Sequence, residues 1–226
     1  MPILGIETSG RSGTIAVVHQ QTVLDATELS ATGRRHARTL VPEIGRLLAD
    51  QDLAMTDLDG IAVSLGPGSF TGLRVGVVCA KTLAYSLQRP LVAVDTFLAV
   101  AENSGRDKQL IWVIDDALRG EVYAGAYQQS QSGEWVCQTS SRLMSLETFK
   151  RQVKADEPVT GPGVTKLLDD LQGLNLVDET DRIPHARQIA LIGERRIQSG
   201  ECDDYWTVEP HYMRRSAAEE KADQAC

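Results

Sequence analysis

Residues 64–84, SLGPGSFTGLRVGVVCAKTLA, gather the groups best suited to holding an anion. Gly66, Pro67 and Gly68 break an apolar, β-branched run sharply, and Ser69 or Thr71 is placed to cap the helix that follows. Unpaired amides of a first helical turn and the positive end of the helix dipole both favour negative charge. The spacing meets neither nucleotide fingerprint. Thr71 stands where the third glycine of G-x-G-x-x-G belongs, and no Lys-Ser/Thr pair follows Gly72 as a Walker loop requires. Two readings stay open here: a phosphate contact involving Gly66, Gly68 and Ser69, or a tight turn that seats a helix against a sheet.

Other chemistry-bearing residues are sparser. Asp115, Asp116, Arg119, Gly120 and Glu121 form a polar cluster. A carboxylate pair could act as acid and base if one member sat in a cleft with a raised pKa, but a turn held by an Asp to Arg bridge is the plainer reading. His36 has Leu40 four residues on, and His19, His185 and His211 have no partner at ligand spacing. Cys79, Cys137, Cys202 and Cys226 are scattered, which argues for reduced thiols with Cys79 a packing residue. No Ser, His and Asp set and no zinc-ligand pair stands at a recognisable spacing, so a peptidase ranks last among the readings.

The whole chain sets further bounds. At 226 residues with a net charge of −8, it is poorly suited to binding nucleic acid unaided, because Lys and Arg supply most of that affinity. Arg34, Arg35 and Arg38 around His36 are the local exception. No apolar run is long enough to cross a bilayer and no basic leader precedes the strand-like residues 3–6, so a soluble cytoplasmic protein is expected.

These residues need a scaffold, and periodicity supplies one. Residues 3–8, 13–19 and 23–29 read as three strands of an antiparallel meander. Residues 36–49 then repeat apolar side chains at helical spacing, 58–65 form a fourth strand, and 72–87 a second helix. A fifth strand at 91–94 and a third helix at 96–103, capped by Asp95 or Thr96, complete the series by about residue 105. A second series follows, with strands at 110–114, 121–127 and 135–139 and helices at 146–153 and 189–197. It reads as an imperfect repeat of the first. Residues 216–226, charged and alanine-rich, are expected to fray.

The second helix has an unusual surface. Gly72, Gly76, Ala80 and Ala84 are four apart and share one face, which lets another helix approach closely. Leu73, Val77 and in part Leu83 suit a sheet on the other side. The small strip can serve a partner protein, or it can pack on the chain's own first helix with Ala37, Leu40 and Ile44 filling the groove.

Three segments carry a family resemblance: ILGIETSG at 3–10, GPGSFTGLRVG at 66–76, and DDALRGEVYAG at 115–125 with EPHYMRR at 209–215. Together they resemble the TsaB family, also called YeaZ, of bacterial tRNA threonylcarbamoyladenosine (t6A) biosynthesis proteins. The resemblance implies an α/β fold of the actin, hexokinase and Hsp70 type (ASKHA), two-lobed, with duplicated βββαβαβα lobes of which the second is degenerate. The lobes would span 1–105 and 106–215, with a tail at 216–226. It also implies a non-catalytic scaffold that activates TsaD, the paralogue that transfers the threonylcarbamoyl group, with the ATPase TsaE joining both. Residues Ala37, Leu40, Ile44, Gly72, Val75, Gly76, Cys79 and Ala80 on the first two helices would form the partner interface, and a homodimer would use the same helices. The isolated chain would need no cofactor, ATP or ADP being held at the complex interface, and tRNA would be reached only through the complex.

Two departures from catalytic relatives fit that division of labour. TsaD carries two metal-binding histidines four apart where this chain has Thr96 and Val100, and valine has no donor atom. ATP-using members of the fold end the first strand in an Asp that serves a magnesium-bound phosphate, and Glu7 occupies that place, followed by Thr8 and Ser9. Glu7 and Ser9 therefore join Gly66, Gly68 and Ser69 as phosphate-proximal candidates. The alternative is an independent small-molecule kinase of the same fold, which needs a phosphate-binding turn and an acidic metal ligand in each lobe.

Overall fold

Strand β1 (Ile3–Glu7) is buried at all five positions, as a strand covered on both faces must be. It is central to a five-stranded sheet in the computed structural model, which describes residues 1–32, 36–105 and 109–213, and side chains outside 30–37. β2 (Ser12–His19) and β3 (Thr22–Thr32) make the antiparallel meander, and β4 (Gly60–Gly66) and β5 (Leu91–Asp95) add in parallel, giving the order β3-β2-β1-β4-β5. α1 (His36–Ala49) and α2 (Phe70–Leu87) pack on one face, against Leu4, Ile6, Ile15, Ile61 and Val63.

The second sheet repeats this plan. β6 (Leu110–Leu118), β7 (Glu121–Gln129) and β8 (Trp135–Ser145) form its meander, and β9 (Pro158–Thr160) and β10 (Asn175–Leu176) add in parallel, in the order β10-β9-β6-β7-β8. α4 (Leu146–Gln152) and α5 (Pro162–Lys166) hold the places of α1 and α2. With two residues in β10, three in β9 and five in α5, this half is the degenerate one. Its core centres on Phe149 and Trp112, whose rings meet edge-on at 5.7 Å.

The last helix of each series crosses to the other sheet. α3 (Thr96–Asn103) is capped by Asp95, which accepts from Phe97 N at 2.9 Å. It sends Phe97, Val100 and Ala101 into a cluster with Ile111, Val113, Tyr127 and Trp135 of the second sheet. α6 (Ala186–Gln198) covers the open face of the first sheet through Ile189, Ala190 and Ile192. It approaches so closely that a Cβ on Gly5 would lie 2.3 Å from Ala186 O, so β1 needs glycine there.

Polar side chains fix the crossing. Glu194 of α6 is fully buried and accepts from the Gln20 and Gln21 amides at 2.8 and 2.6 Å, holding the left-handed β2–β3 turn. Asp95 accepts from Tyr127 Oη, tying the end of β5 to the second sheet. Burial pushes the Asp95 carboxyl up, against the pull of that hydroxyl. A cut near residue 105 thus separates the strands of the two lobes but not the helices that cover them. No helix among the described residues is long and apolar enough to cross a membrane.

Candidate functional site

The turn between β4 and α2 is tied down from several sides. Ser69 N donates to Ser9 O at 2.7 Å, Gly66 N to Thr96 Oγ1 at 3.0 Å, and His211 N to Leu65 O at 2.8 Å. Ser69 caps α2 by accepting from Gly72 N at 3.3 Å. Ser9 donates both its amide and its hydroxyl to Glu7 Oε1. The chain's own carboxyl thus takes donors that a bound phosphate would need.

Glu7 lies inward, 1 % exposed, and burial pushes its carboxyl above the usual range despite the hydrogen bonds from Ser9. Its Oε2 and the Ser64 hydroxyl are buried without a hydrogen bond of ordinary geometry among the described residues. A magnesium-bound phosphate does not fit this arrangement, since the acid that should face it is enclosed and already engaged. Of the two readings of this turn, the geometry favours the seat for a helix. Glu7, Ser9, Gly66 and Gly68 belong to that seat, and only the Ser69 side chain stands exposed.

A pH dependence follows from the enclosed carboxyl. Glu7 is protonated in both folded and unfolded chains well below pH 4.5, its ordinary value; as pH rises past that, the unfolded chain releases the proton first, so stability falls until the folded pKa is passed. Glu7→Gln keeps an acceptor for Ser9 and adds a donor for Ser64. The variant is expected to lose that pH-dependent fall and to gain about 1 kcal/mol at neutral pH, the net worth of one hydrogen bond. Urea unfolding at a series of pH values checks this, and a variant that keeps the wild-type slope would refute it.

The small strip of α2 faces the same turn. A Cβ on Gly72 would lie 1.9 Å from Thr8 O, and one on Gly76 2.2 Å from Thr8 Oγ1, which itself donates to Gly72 O at 2.8 Å. Gly72, Gly76, Ala80 and Ala84 are all buried within this chain. The expectation that they offer a face to a partner is therefore corrected. Small residues are needed at Gly72 and Gly76 because Thr8 comes too close for anything larger, and Ala80 and Ala84 are buried in the first core. Ile44 is likewise core, and the Ala37 side chain lies outside the described ones.

An open surface exists one step around the helix. Leu40 and Val41 of α1 and Val75, Val78, Cys79 and Leu83 of α2 line a groove of about 510 Å³. Val78 is 62 % exposed and Val41 51 %. Of the interface candidates, Leu40, Val75 and Cys79 come together here. The signal was present in the sequence, for 75, 78, 79, 82 and 83 follow helical spacing as a second stripe. Burial pushes the Cys79 thiol up to about 11, so it is a neutral packing group at physiological pH.

The remaining candidates are structural. Lys166 of α5 lies 3.8 Å from Asp115 and 3.9 Å from Asp116, so a lysine from α5 bridges this pair. Burial raises the Asp115 carboxyl while Lys166 pulls it down. Thr96 accepts from Gly66 N, and Val100 is fully buried between the sheets. No three His, Cys, Asp or Glu side chains among the described residues group closely enough to hold a metal. Arg38 is exposed on α1, whereas Arg34 and Arg35, like the tail at 216–226, lie outside the described residues.

Two sheets of one topology with crossed covering helices give the two-lobed α/β fold of ASKHA type, with a first-lobe turn filled by its own carboxyl. EutJ from Carboxydothermus hydrogenoformans shares the fold at a TM-score of 0.50 and 13% identity, over 84% of this chain and 89% of that one. Residues 28–222 match the family model of TsaD, tRNA N6-adenosine threonylcarbamoyltransferase. The tRNA threonylcarbamoyladenosine biosynthesis protein TsaB of Bacillus subtilis is 32% identical over 98% of this chain and 97% of its own length. The Escherichia coli TsaB is 28% identical over 98% of each. YeaZ from Pseudomonas aeruginosa superposes with a TM-score of 0.80 at 28% identity, covering 93% of this chain and 99% of that one. The chain belongs to the TsaB (YeaZ) family, as its three motifs led one to expect.

Proposed function

We propose that this chain takes part in t6A biosynthesis as a non-catalytic subunit, docking a TsaD protein through the groove between α1 and α2. The observation that carries this reading is the contrast between the two surfaces of α2. Its inner side closes the turn where related folds hold nucleotide, while its outer side keeps an apolar groove that a monomer has no use for. The match to the TsaD model supports a partner built on the same plan, presenting a matching helix pair. TsaE joins that pair as a third component, ATP or ADP is held at the shared interface, and tRNA is reached through the complex. In isolation the same groove pairs two copies of the chain in the cytoplasm.

An independent kinase of this fold needs an open phosphate cradle, which the inward Glu7 argues against. Size-exclusion chromatography with light scattering, on the chain alone and mixed with TsaD from the same organism, tests the proposal. A one-to-one complex at micromolar concentration, formed at the expense of any homodimer, is expected. Adding the chain to TsaD and TsaE should raise threonylcarbamoyl transfer to tRNA, and the chain alone should transfer none. Absence of a complex with or without nucleotide would overturn the reading and point to an independent enzyme.

A further inference from the structure

We infer that residues 203–213, which strap the outside of α2, form the second half of the partner-docking surface, with Trp206 and Tyr212 as its anchors. The inference rests on the proposed docking of TsaD at the α1–α2 groove. It extends that surface onto a segment with no regular secondary structure.

The strap is held along its length. Asp203 N donates to Leu91 O at 2.8 Å, and Asp203 Oδ2 accepts from Ala93 N at 2.8 Å, so the strap starts from the edge of β5. Lys81 Nζ on α2 donates to Val208 O at 2.9 Å, and His211 N reaches Leu65 O at the far end. Tyr205 and Val208 pack against the first core. A segment fixed in this way has a defined shape before any partner arrives.

What it exposes is not what a fold alone would require. Trp206 is 68 % exposed, whereas Trp112 and Trp135 are 8 % and 4 % exposed. Its ring is held edge-on by Tyr85 at 5.3 Å and tilted against Tyr205 at 5.3 Å, and its amide donates to Asp204 Oδ1. An ordered, exposed tryptophan on a rigid support loses little conformational freedom when covered, the condition under which aromatic anchors contribute most.

Arg74 makes the strap and the groove one surface. It lines the groove, and it donates from Nε to Tyr212 Oη at 2.9 Å, with its guanidinium 4.3 Å from the Phe70 ring centroid and 5.7 Å from that of Tyr212. Its terminal nitrogens have no acceptor among the described residues and suit a carboxylate. The occupant is therefore a TsaD protein that lays an apolar helix along Val78 and brings an acidic side chain to Arg74. Val41, Val78, Tyr85, Trp206 and Tyr212 are all large, exposed and apolar along this surface.

The test labels this chain alone with 5-fluorotryptophan and assigns the Trp206 resonance with Trp206→Phe. In the free protein that resonance should shift between H2O and D2O; on adding TsaD the isotope shift should vanish. Trp206→Ala and Tyr212→Ala should each weaken binding by tenfold or more, while Leu168→Ala, exposed on the second lobe, should not. If the Trp206 resonance keeps its isotope shift in the complex and Trp206→Ala binds as wild type while Val78→Arg does not bind, the strap is excluded and the groove reading stands. If Val78→Arg also binds as wild type, both fail. Should Trp206→Ala lose its fold, the isotope shift on the wild-type chain decides.

Discussion

Gly72→Ala is expected to destabilise this protein by about 3 to 5 kcal/mol, a large share of the roughly 5–15 kcal/mol that holds a domain together. Helix propensity alone points the other way, since alanine is favoured over glycine by about 1 kcal/mol in a helix interior. The new Cβ, however, would lie 1.9 Å from the backbone oxygen of Thr8. That oxygen belongs to the end of β1 and cannot rotate aside, so either α2 lifts off the sheet or β1 shifts, and the Thr8 to Gly72 hydrogen bond is lost in both cases. Gly45→Ala in α1 is the matched control. Nothing lies within 4 Å of its Cβ position, so that variant should gain up to about 1 kcal/mol. Urea midpoints of the two variants and the wild type, followed by circular dichroism, should bracket the wild type on opposite sides. Equal stability of Gly72→Ala and wild type would mean that α2 is not held against the Thr8 oxygen. A bulky group at Gly76 meets the same wall, and one at the fully buried Ala80 must displace the first core, so such variants report folding and not docking.

Much of the fold is legible in the sequence because each half states its elements locally. The alternation in 13–19 and 23–29, the apolar spacing of 36–49 and the Asp95 cap all rest on neighbours within a turn or a strand, and they reappear as β2, β3, α1 and α3. β9, α5 and β10 are not legible. Elements of three, five and two residues are too short to show a period, and they persist because Val159 and Val164 are buried in the core of the second lobe. Nor does periodicity say what covers an apolar face. Ile189 and Ile192 read as the buried side of a helix, but nothing local assigns them to the first sheet rather than the second.

The site divides in the same way. That α2 has two apolar faces is visible in its residues, yet which one is free depends on Thr8, a contact across 64 positions. Small residues satisfy either a neighbouring helix or a neighbouring strand end, so the glycine strip alone could not choose. Glu7 shows the same limit: an acid at the end of β1 is legible, its inward direction is not. The strap carries no period at all, and only its end, within EPHYMRR at 209–215, is legible, through resemblance and not through spacing.

Val78→Arg is expected to lower the affinity for TsaD at least a hundredfold while leaving the fold intact. Val78 is 62 % exposed, and arginine is at least as good a helix former as valine, so the isolated chain should change by less than about 0.5 kcal/mol. In a complex that fills the groove, the same position loses the burial of a valine, worth about 1.5 kcal/mol, and gains a charge facing apolar side chains. Together these terms exceed the roughly 2.8 kcal/mol that a hundredfold loss requires. Titration calorimetry gives the affinity, and unfolding of the isolated variant gives the control. Val136→Arg on β8, 48 % exposed, places the same charge on the second lobe and should bind as wild type. The comparison separates a specific groove from general repulsion, because both variants change the net charge equally. A partner that distinguishes them must touch α2, and one that does not must dock elsewhere, leaving the outer stripe of this helix without the role its apolar residues imply.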